Sequence, residues 1–340
     1  MLNNAVSRVE RVFHAALKQP VAERRNYVAR TCSGNPTLLH EVDTLIHSWE
    51  SSRDLFNEPA LELGLSLLSE SRDSSLINRT IAGYRIISLL GKGGMGEVYL
   101  ALDERLERRV ALKFLSKELL SNRSAKDELL REARAIAKLD HPNIRQIFAI
   151  VESDDTEFIV MQFVEGKTLA DLIRERAVRK NQVFDLARQI VSAIAEAHAN
   201  AIIHRDIKPQ NIILNAKGQP QVVDFGLATS INESTSRLTT GVPGTMRYMS
   251  PEQLQGNPID FRSDVFSLGT LLYEMVSGRN PFARKNDCEV ASAILNHEPK
   301  PWKMKNDRSG KLGAAIQRCL AKDPNDRYKS AVELLVDLES

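Results

Sequence analysis

His204-Arg205-Asp206-Ile207-Lys208-Pro209-Gln210-Asn211, followed by Asp224-Phe225-Gly226, is the stretch on which the reading of this chain turns. It places an aspartate, a lysine, an asparagine and a second aspartate close together in sequence. Those are the groups that phosphoryl transfer requires. One carboxylate can orient a hydroxyl and take its proton, an amide and a second carboxylate can hold Mg²⁺, and a lysine can neutralise the transferring phosphate.

Upstream, Gly91-Lys92-Gly93-Gly94-Met95-Gly96-Glu97-Val98 spells GxGxxGxV. Glycines allow positive φ and let backbone amides approach phosphate oxygens. Dinucleotide-binding folds use a similar spelling but need a helix after the third glycine, whereas Glu97 to Ala101 reads as strand. The GKT at Gly166-Lys167-Thr168 is no phosphate loop, because position 161 is Met where that motif requires Gly. In Val110-Ala111-Leu112-Lys113, strand alternation puts Lys113 on the face of Ala111, where it can reach past a small side chain to a phosphate. In the next helix Leu129, Glu132, Ile136 and Leu139 share a face, so Glu132 lies in an apolar stripe and needs a cationic partner. Lys113 is the expected partner.

Around these motifs the chain divides in three. Val6, Val9, Phe13 and Leu17 recur at helical spacing, as do Leu38, Val42, Leu45 and Trp49, so residues 1–68 read as a helical segment. Residues 69–81 are polar and serine-rich, and read as a linker. From Tyr84 short alternating runs predict strands at 85–90, 97–102, 109–115, 146–152 and 158–163, with a helix after the third that starts on a Ser124/Asp127 capping box. Beyond Gly166 the pattern is mainly helical. A hydrophobic share of 42% and a net charge of +2 suit a globular protein and point away from nucleic acid or a membrane surface. No run of eighteen apolar residues predicts a membrane span. Cys32, Cys288 and Cys319 have no disulfide or zinc spacing, which favours a reducing, cytoplasmic setting.

Taken together, and in this order, the motifs resemble the bacterial eukaryotic-like (Hanks-type) serine/threonine protein kinases over residues 82–338. The resemblance implies an α+β, bilobal protein kinase fold. Its β-rich N-lobe would occupy 82–161, its hinge 162–166 and its helical C-lobe 167–340. It implies ATP and Mg²⁺ as cofactors and the Ser/Thr hydroxyls of proteins as substrates. Asp206 would be the base, Lys208 would contact the γ-phosphate, Asn211 and Asp224 would hold Mg²⁺, and Lys113 would pair with Glu132. Leu90, Gly91, Lys92, Gly93, Gly94, Met95 and Gly96 would cover the nucleotide. The Gln162 carbonyl and Val164 amide would bond the adenine edge, with Val98, Ala111 and Ile213 around the ring and Met161 at its back. His204 and Phe225 would stack with Ile136 and Ile147 in an apolar spine. Glu252 would pair with Arg327, and Asp264 would receive backbone amides of the catalytic loop.

Between Asp224 and Glu252 lie Ser230, Ser234, Thr235, Ser236, Thr239, Thr240 and Thr245, among other hydroxyl residues. Arg205 beside Asp206 suits a loop ordered by phosphorylation, which predicts autophosphorylation of Thr239 or Thr240 between two copies of the chain. Thr245 is expected to make a structural contact to Asp206 and Lys208. Two other readings stay open: a pseudokinase that keeps the fold without chemistry, and a small-molecule phosphotransferase on a related fold. The full motif set weighs against the first, Lys208 and the Thr245–Glu252 loop against the second.

Overall fold

Alternating apolar residues build one sheet, and one helix buried through its middle organises the rest. The structure, a computed structural model, describes residues 27–28, 30–32, 76–93, 96–153, 156–179, 181–225, 245–302 and 307–340. The chain separates into two compact units, Met1–Leu76 and Ile77–Ser340. In the first only a short helical piece within residues 27–32 is described, so the helical segment predicted at 1–68 otherwise lies outside the described residues.

In the second unit β1 (Thr80–Ile81), β2 (Tyr84–Gly93), β3 (Gly96–Asp103), β4 (Arg108–Leu115), β5 (Ile147–Ser153) and β6 (Thr156–Gln162) form an antiparallel sheet of order β1-β2-β3-β4-β6-β5. Its aromatic core is a chain of rings. Tyr99 meets Phe114 edge-on at 5.6 Å, Phe114 meets Phe158 at 4.9 Å, and Phe158 meets Tyr84 at 5.9 Å. Gly96 has φ +137°, and a Cβ there would lie 1.8 Å from the Phe114 carbonyl oxygen, so the sheet itself demands this glycine.

Two helices follow β4: α1 (Lys117–Ser121), capped by Ser116, and α2 (Arg123–Ile136). The cap of α2 is Asn122, whose side chain accepts from Ala125 N, and not the predicted Ser124/Asp127 box. Asparagine caps as well as serine does, and with Asn122 starting the helix, Ser124 and Asp127 fall inside it.

The remainder is mainly helical, as predicted: α3 (Leu169–Arg174), α4 (Val183–Ala199), α5 (Pro251–Gln255), α6 (Phe261–Ser277), α7 (Asp287–Asn296), α8 (Asp307–Cys319) and α9 (Ala331–Glu339). A small sheet of β7 (Gly166–Thr168), β8 (Ile212–Asn215) and β9 (Pro220–Val222) carries the catalytic-loop region. Val265, Phe266, Leu268, Leu271 and Leu272 of α6 are all fully buried, so this helix is covered on every side. A Cβ at Gly269 would meet Cys319 Cβ at 2.6 Å, and glycine is what lets α8 approach this closely. No helix among the described residues is long and apolar enough to cross a membrane.

A buried ion pair ties α5 to the loop before α9. Arg327 Nη1 and Nη2 donate to the two Glu252 carboxylate oxygens at 2.8 and 3.0 Å, the pairing predicted from sequence. Its remaining donors reach the carbonyls of Ala321, Arg262 and Lys322 at 2.8 to 3.0 Å, and Ser263 Oγ donates to Glu252 at 2.6 Å. Burial would raise the Glu252 carboxyl, but bonds from Arg327 and Ser263 win and hold it below its ordinary value. The stabilisation is therefore present above the unfolded carboxylate range and is lost as pH falls through the depressed folded value. Glu252→Ala, leaving Arg327 buried and uncompensated, should cost about 3–5 kcal/mol in urea unfolding at neutral pH. That penalty should shrink below pH 4.5, the ordinary value for this carboxyl.

Candidate active site

The site is assembled around one buried carboxylate. Asp264 stands in the first turn of α6, 1% exposed, and accepts from the backbone amides of His204 at 2.6 Å and Arg205 at 2.8 Å, as predicted. His198 Nε2 lies 3.0 Å from the same carboxylate. Because His198 Nδ1 accepts from Ala331 N at 3.0 Å, Nε2 is the nitrogen that carries the proton and donates. This histidine, which the sequence reading passed over, thus ties α4, α6 and α9 to the catalytic loop. The amide bonds hold Arg205 at φ +66°, a left-handed conformation that costs about 1–3 kcal/mol unless its surroundings enforce it. Its carbonyl is held too, by Gln253 Nε2 at 3.3 Å. Gln253 is placed by a capping box with Ser250.

On this loop Asp206 faces two donors. Asn211 Nδ2 donates to the Asp206 carboxylate at 2.9 Å and to its carbonyl at 2.8 Å, and Lys208 Nζ lies 2.8 Å from Oδ2. The His204 ring is fully buried against Phe225, centroids 4.5 Å apart, and burial lowers its pKa so that the imidazole is neutral. Ile136 is buried and Ile147 partly buried in the core that also holds Phe225.

Asp224 also takes a left-handed backbone, φ +55°. Burial alone would raise its carboxyl, but the cations Lys113 and Arg145 outweigh that and hold it low. Its Oδ1 is buried with no hydrogen-bond donor among the described residues. Arg145, which the sequence reading did not single out, has its Nη1 3.9 Å from that oxygen, while its Nε donates to the Gln162 carbonyl at 2.7 Å. One of the two lone pairs of the carbonyl expected to bond the adenine edge is therefore already engaged by a protein side chain.

One prediction is overturned. Lys113 forms no ion pair with Glu132 in this structure. Glu132 instead lies 3.0 Å from Arg205 Nη1. Glu132 was expected to need a cation because its helix face is apolar, and Arg205, fixed by Asp264 and Gln253, is the cation within reach. The pairing is incomplete: Glu132 Oε2 and Arg205 Nε are both buried without a partner among the described residues, and burial raises the Glu132 carboxyl above its ordinary value despite Arg205.

The described residues among those predicted to hold the nucleotide lie on strands of the two sheets and on the segment after β6. Val98 pairs with Lys113 and Ala111 with Met161 in the strand register, Ala111 and Met161 are buried, and Val164 is 8% exposed. Ile213 lies in β8, two residues beyond Asn211. Leu90, Gly91, Lys92 and Gly93 end β2 and Gly96 opens β3, with Lys92 bridged to Glu97 at 3.0 Å. Gly94, Met95, Thr239 and Thr240 lie outside the described residues, as does the side chain of Thr245.

Residues 84–337 match the protein kinase domain family. The chain is 38% identical over 270 residues to serine/threonine-protein kinase PrkC of Bacillus subtilis, covering 78% of this chain and 41% of that protein. It is 39% identical over 258 residues to a probable serine/threonine-protein kinase of Clostridium perfringens, covering 75% and 38%. It is 38% identical over 262 residues to serine/threonine-protein kinase PknB of Mycobacterium leprae, covering 75% and 42%. The chain therefore belongs to the bacterial Hanks-type serine/threonine protein kinase family, and it spans less than half the length of these relatives.

Replacing Asp264 by Ala would leave two backbone amides and His198 Nε2 without their acceptor. The expected loss is about 2–5 kcal/mol of unfolding free energy, read by urea denaturation, with His198→Ala costing less because both amides keep their partner.

Proposed function

We propose that this chain is an ATP- and Mg²⁺-dependent kinase that phosphorylates Ser/Thr hydroxyls of proteins in a cytoplasmic setting. The observation that carries the reading is the Asp206 carboxylate, held by Asn211 and Lys208 on a loop that Asp264 fixes. Asp206 orients the attacking hydroxyl and accepts its proton as the new O–P bond forms. Lys208 offsets charge on the γ-phosphoryl as its bond to the β-phosphate oxygen breaks, and ADP leaves. The glycine-rich turn from Leu90 to Gly96 covers the triphosphate and Lys113 contacts it. The Gln162 carbonyl and Val164 amide hold the adenine between Val98, Ala111 and Ile213, with Met161 limiting depth.

Asn211 and Asp224 fit a divalent cation. Asp224 keeps a buried carboxylate oxygen that nothing among the described residues donates to, and Asn211, donating through its nitrogen, retains an amide oxygen. When bound, Mg²⁺ supplies positive charge to the phosphate oxygens. Asp206→Asn should leave ATP affinity within about twofold and reduce turnover by about 10²–10⁴, the usual contribution of a positioned base. Near-wild-type turnover by that variant would remove Asp206 from the role.

Activation follows from the Glu132–Arg205 contact. A phosphate on Thr239 or Thr240, transferred between two copies of the chain, pairs bidentately with Arg205 better than one carboxylate oxygen does. Glu132 is then released to Lys113, which orders the lysine on the phosphates. Glu132→Gln should accordingly cut the turnover of the phosphorylated chain by about tenfold to a hundredfold, the worth of a charged hydrogen bond. In the unphosphorylated chain the same change should cost less than about threefold, because there Glu132 is engaged elsewhere.

A further inference from the structure

A large cavity lies away from the residues proposed to bind phosphate. It is an open trough of about 810 Å³ beside the catalytic loop, with Pro209 and Gln210 in its wall immediately after Lys208. A protein substrate that presents a hydroxyl to Asp206 must lay its flanking residues somewhere on this side. The trough's composition is one-sided. Arg174, Arg176, Arg247 and Arg279 line it, against a single carboxylate, Glu274.

Pairing leaves most of that positive charge uncompensated. Arg174 lies 2.7 Å from Asp171 and Arg247 acts on the Glu274 carboxylate from beyond ion-pair distance, but Arg176 and Arg279 form no ion pair among the described residues. Glu274 is occupied: its Oε2 accepts from the Tyr248 hydroxyl at 2.5 Å and from Asn280 Nδ2 at 3.5 Å. Burial, ahead of these bonds and of the nearby Arg247 charge, raises its carboxyl above the ordinary value. Ile173, Val183 and Met275 add apolar side chains to the lining. Like charges around a partly apolar lining focus a positive field into the trough.

We propose that this trough selects the substrate, taking peptide segments that carry Asp or Glu side chains beside the Ser or Thr to be phosphorylated. The proposal deepens the kinase reading and rests on it for the position of the hydroxyl. Arg176 and Arg279, both exposed, meet the incoming carboxylates, Arg247 supports them from the loop before α5, and the apolar side chains of the lining take uncharged neighbours. Basic flanks are disfavoured, since they would meet the unpaired Arg176 and Arg279 and a carboxyl already hydrogen-bonded and faced by Arg247.

The test uses the full chain and short fluorescent threonine peptides that differ only in flanks of glutamate, glutamine, arginine or phosphoserine. Anisotropy without ATP reads binding, and turnover with ATP–Mg²⁺ reads transfer. The glutamate peptide should bind about tenfold more tightly than the glutamine peptide, since several exposed charge contacts of modest strength multiply to that order. The gap should fall below about twofold in the Arg176→Gln/Arg279→Gln chain, and shrink likewise at high ionic strength. Equal binding of glutamate and glutamine flanks, tighter binding of arginine flanks, or a gap that survives the double substitution would each overturn the proposal. A preference for phosphoserine over glutamate flanks, lost in the same double variant, would also overturn it and make the occupant a previously phosphorylated segment. Failure of the kinase reading looks different: the anisotropy gap would persist while no peptide and no copy of the chain received phosphate.

Discussion

The acceptance of two backbone amides by Asp264 is the constraint on which the site depends. A carboxylate 1% exposed on a helix buried all round cannot relax toward water, so it imposes its geometry on what it binds. Arg205 is thereby held in a left-handed conformation, and Asp206 is delivered next to Asn211 and Lys208. Glu252–Arg327 serves the same end from the other side: it anchors α5, whose Gln253 holds the Arg205 carbonyl. The proposed chemistry thus stands on two buried carboxylates that never touch a substrate.

Charge around the site is arranged for exchange as much as for rigidity. Asp224 keeps an orphaned oxygen under the influence of Lys113 and Arg145, and the Glu132–Arg205 contact leaves one atom of each partner unpaired. Buried polar atoms left unsatisfied raise the free energy of the arrangement that contains them, so such contacts give way when a better partner arrives. A divalent cation suits the first and a phosphate the second. In the proposed account the form described here is the one that precedes activation.

The fold was largely readable because period-two and helical patterns are set by burial, and burial here follows them closely. The five strands of the sheet from 84 to 162 and the helical remainder fall where alternation and spacing placed them, with β1 too short to leave a pattern. The Glu252–Arg327 pair and the amides on Asp264 were likewise reachable through motif order. What escaped were choices between partners. A helix face shows that Glu132 is half-buried but not which cation it meets, and both Lys113 and Arg205 satisfy the same need. Asn122 and Ser124 are equally good caps two positions apart, and only the end of α1 decides between them. Arg145 sits next to a strand edge in a run that alternation reads as ordinary, and its reach to both Gln162 and Asp224 exists only in three dimensions. His198 looks like any histidine near a helix end until α9 supplies the amide that fixes its tautomer.

The most direct test mixes the wild-type chain with the Asp206→Asn chain as its substrate, distinguished by mass, in ATP and Mg²⁺, followed by phosphosite mapping of the inactive copy. The account predicts phosphate on Thr239 or Thr240 of the Asp206→Asn chain when the wild type is present, and none when it is incubated alone. Phosphate on the inactive copy in the absence of wild type, modification only at positions outside 224–252, or no transfer at all with ATP bound would contradict it.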